Sequence, residues 1–269
     1  MSINKVKIIV SRFHENLNWL QESPFNEFRY IVYNKGDNDE FNKTNVETII
    51  NLPNVGKCDH TYLHHIVNNF DNLDDILVFF PGSIDSNSAK KSKAIDILER
   101  IKKNNYNSAV FNGDLCKEGL LKKFGNFTLD SWTTSSPQNY NKNSETMIHP
   151  ANIRPFWKWY LVNFGRIRVN YYTFQGIFSV DKRDILQHPK FRYEKLLNQL
   201  AVHSNPEVGH YIERSWGAIF YPMTHTRVLI NNIQSFQFRR VARYNALKKY
   251  SFRKRGRFPI RPRVNKFRK

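Results

Sequence analysis

Short apolar runs alternate with helically spaced apolar positions over the first 110 residues of the chain. Residues 5–12 (KVKIIVSR) predict a buried strand, with Ile8, Ile9 and Val10 at its centre. Leu17 and Leu20 share one side of a short helical stretch over residues 14–22. Residues 28–33 (FRYIVY) predict a second strand, closed by the turn-like Asn34-Lys35-Gly36-Asp37. A third over residues 48–52 runs into Pro53-Asn54-Val55-Gly56. Leu63, Ile66, Val67 and Phe70 recur at helical spacing, so residues 60–70 predict an amphipathic helix. Residues 75–80 are a strongly apolar strand ending at Pro81-Gly82, and residues 90–105 a helix with Ile95, Leu98 and Ile101 inward. This order implies an α/β fold, a mainly parallel sheet flanked by helices.

The second half is less regular. Residues 112–150 predict a long loop insertion, Asn-rich towards Ser144. Residues 156–164 predict an aromatic helix and residues 174–180 a late strand. A helix over residues 181–200 is interrupted near His188-Pro189, and a final helix over residues 208–220 turns Ile212, Trp216, Ile219 and Phe220 inward. The expected division is an α/β domain over residues 1–222 and a basic extension over residues 223–269.

Composition narrows the class. Among 269 residues, 40% are hydrophobic and 14% aromatic, which excludes global disorder. The longest strongly apolar run, Ile76 to Phe80, falls far short of the roughly 20 residues of a membrane span. Only Cys58 and Cys116 are present, so a disulfide scaffold is excluded. With an N-terminus lacking the apolar stretch of a signal peptide, the expected compartment is the cytoplasm. The net charge of +19 is unevenly placed: 16 of the 42 basic residues follow Glu213 and no acidic residue does. Before that point 26 basic residues face 23 acidic ones. A polyanion partner, nucleic acid or an anionic surface, therefore belongs to the tail. Arg253, Lys254, Arg255, Arg257, Arg261 and Arg263 are its candidate contacts, interleaved with Phe252 and Phe258.

Several local patterns carry candidate chemistry. No Gly-rich phosphate loop or dinucleotide fingerprint is present, which weakens ATPase and dehydrogenase readings. His60 and His64, spaced i, i+4 with Cys58 just before them, have zinc-ligand spacing; a polar edge of a packed helix explains them as well. Cys58 reads as a nucleophile or as a boundary cysteine. Asp37-Asn38-Asp39 has the Asp-X-Asp form that holds Mg²⁺ or Mn²⁺ against a diphosphate, but stands where turn residues are common. Arg12, His14 and Glu15 follow the first strand, and Asn34, Lys35 and Gly36 the second, where ligand crevices of open α/β sheets lie. His210 and Glu213 are neighbours on the last helix, and a half-buried Glu beside Trp216 would suit a general base.

Taken together, these segments resemble a known family. Val10-Ser11-Arg12-Phe13-His14-Glu15 with Trp19, Val32-Tyr33-Asn34-Lys35-Gly36, Leu52-Pro53-Asn54-Val55-Gly56 and Thr61-Tyr62-Leu63-His64-His65-Ile66 resemble domain of unknown function 3431. So do Gly176-Ile177-Phe178-Ser179-Val180 and Glu213-Arg214-Ser215-Trp216. The family's arrangement is similar to GT-A glycosyltransferases. The resemblance implies sugar transfer from a nucleotide-sugar donor to a hydroxyl acceptor, with Mg²⁺ or Mn²⁺ as the cation. Arg12, Glu15, Asn34, Lys35 and His60 would line the donor side, Lys57 would neutralise the diphosphate, and Glu213 with His210 would serve the acceptor. Two departures bear on activity: Gly56-Lys57-Cys58 stands where the family has Gly-Arg-Glu, and Pro81-Gly82 where it has Gln-Gly. The competing reading is a non-catalytic member that binds polyanions through its tail.

Overall fold

The computed structural model describes residues 5–129 and 149–231. Four parallel strands, β1 (Val6–Arg12), β2 (Tyr30–Asn34), β3 (Val46–Asn51) and β4 (Ile76–Pro81), lie side by side, and β7 (Phe178–Asp181) adds an antiparallel edge. The order is β3-β2-β1-β4-β7. The three strands expected within residues 5–12, 28–33 and 75–80 thus share one sheet. A second sheet, β6-β5-β8, joins β5 (Val110–Leu115) to antiparallel β6 (Tyr171–Tyr172) and parallel β8 (Arg227–Asn231). Ser179 connects the sheets: its Oγ accepts the Val110 N–H at 2.7 Å and donates to the Val110 carbonyl at 2.8 Å.

The central strands of the main sheet are buried on both faces, as the continuous apolar sequence of β4 requires, while β3 at the edge is largely exposed. On one face Val6, Ile8, Val10, Val78 and Phe80 pack against Trp19, Phe25 and helix α2 (Ser88–Lys103). Asn87 caps α2 by accepting the Lys90 N–H at 2.9 Å. On the other face lie α1 (Lys57–Asn68) and, later in the chain, the helix Glu207–Ile219. Tyr62, Phe79, Phe178 and Trp216 meet there, with ring centroids 4.8–6.1 Å apart. The other helices are α3 (Leu120–Phe124), α4 (Phe156–Phe164), α5 (Lys182–Leu186), α6 (Lys190–Leu200) and α7, the Glu207–Ile219 helix.

Three expectations change. The stretch expected as a helix over residues 14–22 forms only a 3₁₀ turn, Asn18–Gln21, because Leu17 adopts a left-handed backbone (φ 55°). Within the expected loop 112–150, residues up to Leu115 continue β5 and Leu120–Phe124 is helical; residues 130–148 lie outside the described residues. The basic extension expected from residue 223 contributes β8 before it leaves the described part. Charge drew that boundary, and charge says nothing about the Val228-Leu229-Ile230 core of β8.

Candidate active site

β1 leads to β2 and β3 on one side, and the chain then returns to place β4 on the other. The order of the main sheet therefore reverses between β1 and β4, the position at which open α/β sheets form crevices beyond their carboxyl ends. Glu15 sits there. Its Oε2 accepts the Phe13 N–H at 2.7 Å, and a Cβ on Gly82 would lie 2.8 Å from that oxygen. Gly82 is thus the residue that lets the β4 loop approach Glu15. The Gly82 N–H donates to the Ser11 carbonyl at 2.7 Å, and Trp19 Nε1 donates to the Gly82 carbonyl at 2.9 Å.

Arg12 and Asn34 are committed to the protein itself. The buried Arg12 guanidinium donates from Nη1 to Asn34 Oδ1 at 2.6 Å and to the Asn38 carbonyl at 2.7 Å. It also donates from Nη2 to Asn38 Oδ1 and from Nε to the Glu15 carbonyl, each at 2.8 Å, and covers the Phe41 ring. Asn34 Nδ2 donates to the same Asn38 carbonyl at 2.8 Å. Both residues therefore shape the loop after β2 instead of offering free donors.

Lys35 is also held: its buried ammonium donates to the Val55 carbonyl at 2.6 Å and to the Lys57 carbonyl. Burial lowers its pKa to about 8, against the opposing pull of Cys58 and Asp59. This charge fixes the loop entering α1, where Gly56 (φ 58°) and Lys57 (φ 49°) are left-handed. A Cβ on Gly56 would come within 2.7 Å of both His60 and Leu200. The Lys57 side chain is exposed at this helix start.

The first turn of α1 carries Asp59, which the sequence reading did not single out. Asp59 is buried, and its Oδ1 accepts the Trp216 Nε1–H at 2.8 Å. Burial, reinforced by the negative charge of Glu213, pushes its carboxyl up to about 8. Glu213, half-buried on α7, accepts the Gln175 N–H at 2.8 Å through Oε1. That bond holds Gln175 in a left-handed conformation (φ 73°), followed by Gly176 (φ 63°). Tyr62 donates to the Gly176 carbonyl at 2.9 Å, and a Cβ on Gly176 would meet Cys58 Sγ at 2.8 Å. Lys93 completes this wall, donating to Thr173 Oγ1 at 2.7 Å and the Phe174 carbonyl at 3.0 Å. Asp59 lies on the apolar stripe that Tyr62, Leu63 and Ile66 continue, and an acid on such a stripe is the signal that would have found it.

Other candidates fall outside this cluster or lose their chemical role. Burial and the charges of Asp59 and Glu213 raise the Cys58 thiol far above its usual range, which removes the thiolate a nucleophile needs. His60 is buried and held neutral, its pKa lowered to about 3 by burial first and then by Lys35. His210 packs against Phe127 at 6.3 Å. Asp37 and Asp39 are exposed; Asp39 pairs with Lys43 at 2.9 Å and Asp37 faces His14 at 3.6 Å. Among the described residues no three His, Cys, Asp or Glu side chains converge as a metal-binding group. The tail candidates Arg253, Lys254, Arg255, Arg257, Arg261 and Arg263 lie outside the described residues.

Fold and cluster together define an α/β protein with two carboxyl groups, Asp59 and Glu213, facing each other between α1 and α7. The chain belongs to the family described as protein of unknown function (DUF3431), which matches residues 8–232. No curated protein matches the chain. Among solved structures it is similar to 4-diphosphocytidyl-2C-methyl-D-erythritol synthase from Anaerococcus prevotii, at 11% identity and a TM-score of 0.35. That likeness spans 90% of this chain and 96% of the other, a superposition too loose to carry an argument about this chain.

Proposed function

We propose that the protein is a glycosyltransferase-type enzyme that moves a sugar from a nucleotide-sugar donor to an acceptor hydroxyl at the Asp59–Glu213 cluster. The observation that carries this reading is the placement of the two carboxyl groups: the buried Asp59 carboxyl, pushed up to about 8 by burial and then by the charge of Glu213, shares one cluster with Glu213, whose Oε1 accepts the Gln175 N–H at 2.8 Å. Glu213 takes the acceptor hydroxyl proton as the acceptor oxygen forms its bond to the sugar's anomeric carbon. The bond from that carbon to the donor phosphate breaks, and the nucleoside diphosphate leaves with the electron pair. Lys57 and the N-terminus of α1 offset the charge that develops on the leaving diphosphate. Arg12 and Asn34 act indirectly, holding the loop that forms the donor side.

A thermal-shift screen of nucleotide sugars tests donor binding, because a ligand of the folded state raises the melting temperature. Glu213→Gln keeps an acceptor for the Gln175 N–H and removes the base. It is expected to preserve the donor-induced shift and lower turnover by about 10²–10⁴-fold. An unchanged rate removes the role of Glu213, and a screen in which no nucleotide sugar stabilises the protein removes the donor class.

A further inference from the structure

Helix α4 is apolar or aromatic at every position but Lys158 and Asn163, and the core covers only half of it. Phe156, Trp159, Tyr160 and Phe164 are buried, with Phe156 and Trp159 against Tyr211 of α7. The opposite side leaves Trp157 40%, Leu161 36% and Val162 55% exposed. Trp157 and Leu161 are one turn apart and form a single ridge. Val202, just beyond α6, is 60% exposed, and Lys195 of α6 reaches the Val162 carbonyl at 3.4 Å. Between α4 and α6 lies a cleft of about 330 Å³, whose lining includes Ile153, Val162, Lys195, Asn198 and Val202. A helix with this pattern needs a partner on its second side.

Charge selects the partner. Residues 149–180 contain Arg154, Lys158, Arg166 and Arg168 and no Asp or Glu. Arg154 is committed to Glu207, Lys158 lies over the Trp157 ring at 5.6 Å, and Arg166 and Arg168 are exposed just beyond the end of α4. Glu194 is the single acid on α6, against Lys190, Arg192 and Lys195. A second copy docked by two-fold symmetry would set these cations against the same cations. An anionic lipid surface instead takes the Trp and aliphatic ridge at its headgroup level and the cations at its phosphates. No described helix is long and apolar enough to cross a membrane, so the contact lies on the surface.

We propose that the exposed face of α4, with the cleft beside α6, docks the protein onto anionic membrane. The test is co-sedimentation of the full chain with vesicles of phosphatidylcholine alone and with about 30% phosphatidylserine. The wild type is expected to partition onto the anionic vesicles only. Trp157→Gln with Leu161→Gln should reduce that partitioning by about tenfold or more, and a cooperative melting curve of the same variant shows that the chain stays folded. Lys158→Gln with Arg166→Gln should weaken binding and flatten its salt dependence. The same apolar pair is also measured in a chain whose Arg253, Lys254, Arg255 and Arg257 are replaced by Gln, which separates this face from the tail. Equal partitioning of the apolar variant and its parent in both backgrounds overturns the proposal. So does a wild-type dimer that the apolar substitutions dissociate, which would make a second copy the occupant.

Discussion

Asp59 places a carboxyl where water cannot solvate its charge, and the cost appears as a pH-dependent loss of stability. An unfolded Asp loses its proton near pH 3.9, as solvated carboxyls do, whereas the folded group keeps it to about pH 8. Between those limits the native state binds the extra proton, so stability falls as pH rises from about 4 to about 8. Asp59→Asn removes the titration and retains an oxygen for the Trp216 Nε1–H. The variant is expected to gain on the wild type progressively over that window, by up to about 5 kcal/mol near pH 8. Melting curves at several pH values measure the gap, and a gap constant with pH would contradict the shifted pKa. The apolar spacing alone does not single out this residue, because it starts the helix at His60, whereas α1 begins at Lys57. Arg12 and Asn34 were legible as residues at strand ends. Their mutual bonds through Asn38 were not, because those depend on how the loop after β2 folds back.

At the scale of elements, legibility followed apolar continuity. Helix α4 occupies the residues its aromatic run predicted, and the break between α5 and α6 falls at the expected His188-Pro189. β5 escaped because Asn112, Gly113 and Asp114 interrupt its apolar character, and β8 because it opens the basic extension. Glu207 was not singled out either, yet α7 is anchored through it. Its buried carboxylate accepts the Leu129 N–H at 2.7 Å, the Ala151 N–H at 2.8 Å and the Tyr211 hydroxyl at 2.8 Å, and pairs with Arg154 at 2.9 Å. One side chain thus ties the chain on both sides of residues 130–148 to the first turn of α7. Glu207→Ala leaves these partners without their acceptor and is expected to cost about 3–5 kcal/mol. Glu207→Gln keeps one oxygen and should cost less. Denaturant titrations give both values, and a loss for Ala within the range of ordinary surface substitutions would show that the anchor is dispensable.

Across the whole molecule, charge divides the chain at a different place from structure. Acidic residues end at Glu213, inside α7, but the second sheet continues to Asn231 through β8. A truncation drawn from charge alone would therefore remove a strand of the fold, and a test of the tail is better made by substitution in the full chain. Arg253, Lys254, Arg255 and Arg257 are the densest cluster, with Phe252 and Phe258 as bases for stacking. We expect this segment to bind nucleic acid through phosphate contacts. If about five of its cations neutralise phosphates on duplex DNA, log K should fall with log[salt] at a slope near −4.5. Replacing those four residues and Arg261 and Arg263 by Gln should flatten the slope and weaken binding at low salt, as read by fluorescence anisotropy at two salt concentrations with RNA and DNA. The membrane contact proposed for α4 predicts a different pattern for the same variant, because loss of tail charge leaves the Trp157–Leu161 ridge intact. Equal nucleic-acid binding by the wild type and the tail variant would place the binding element elsewhere.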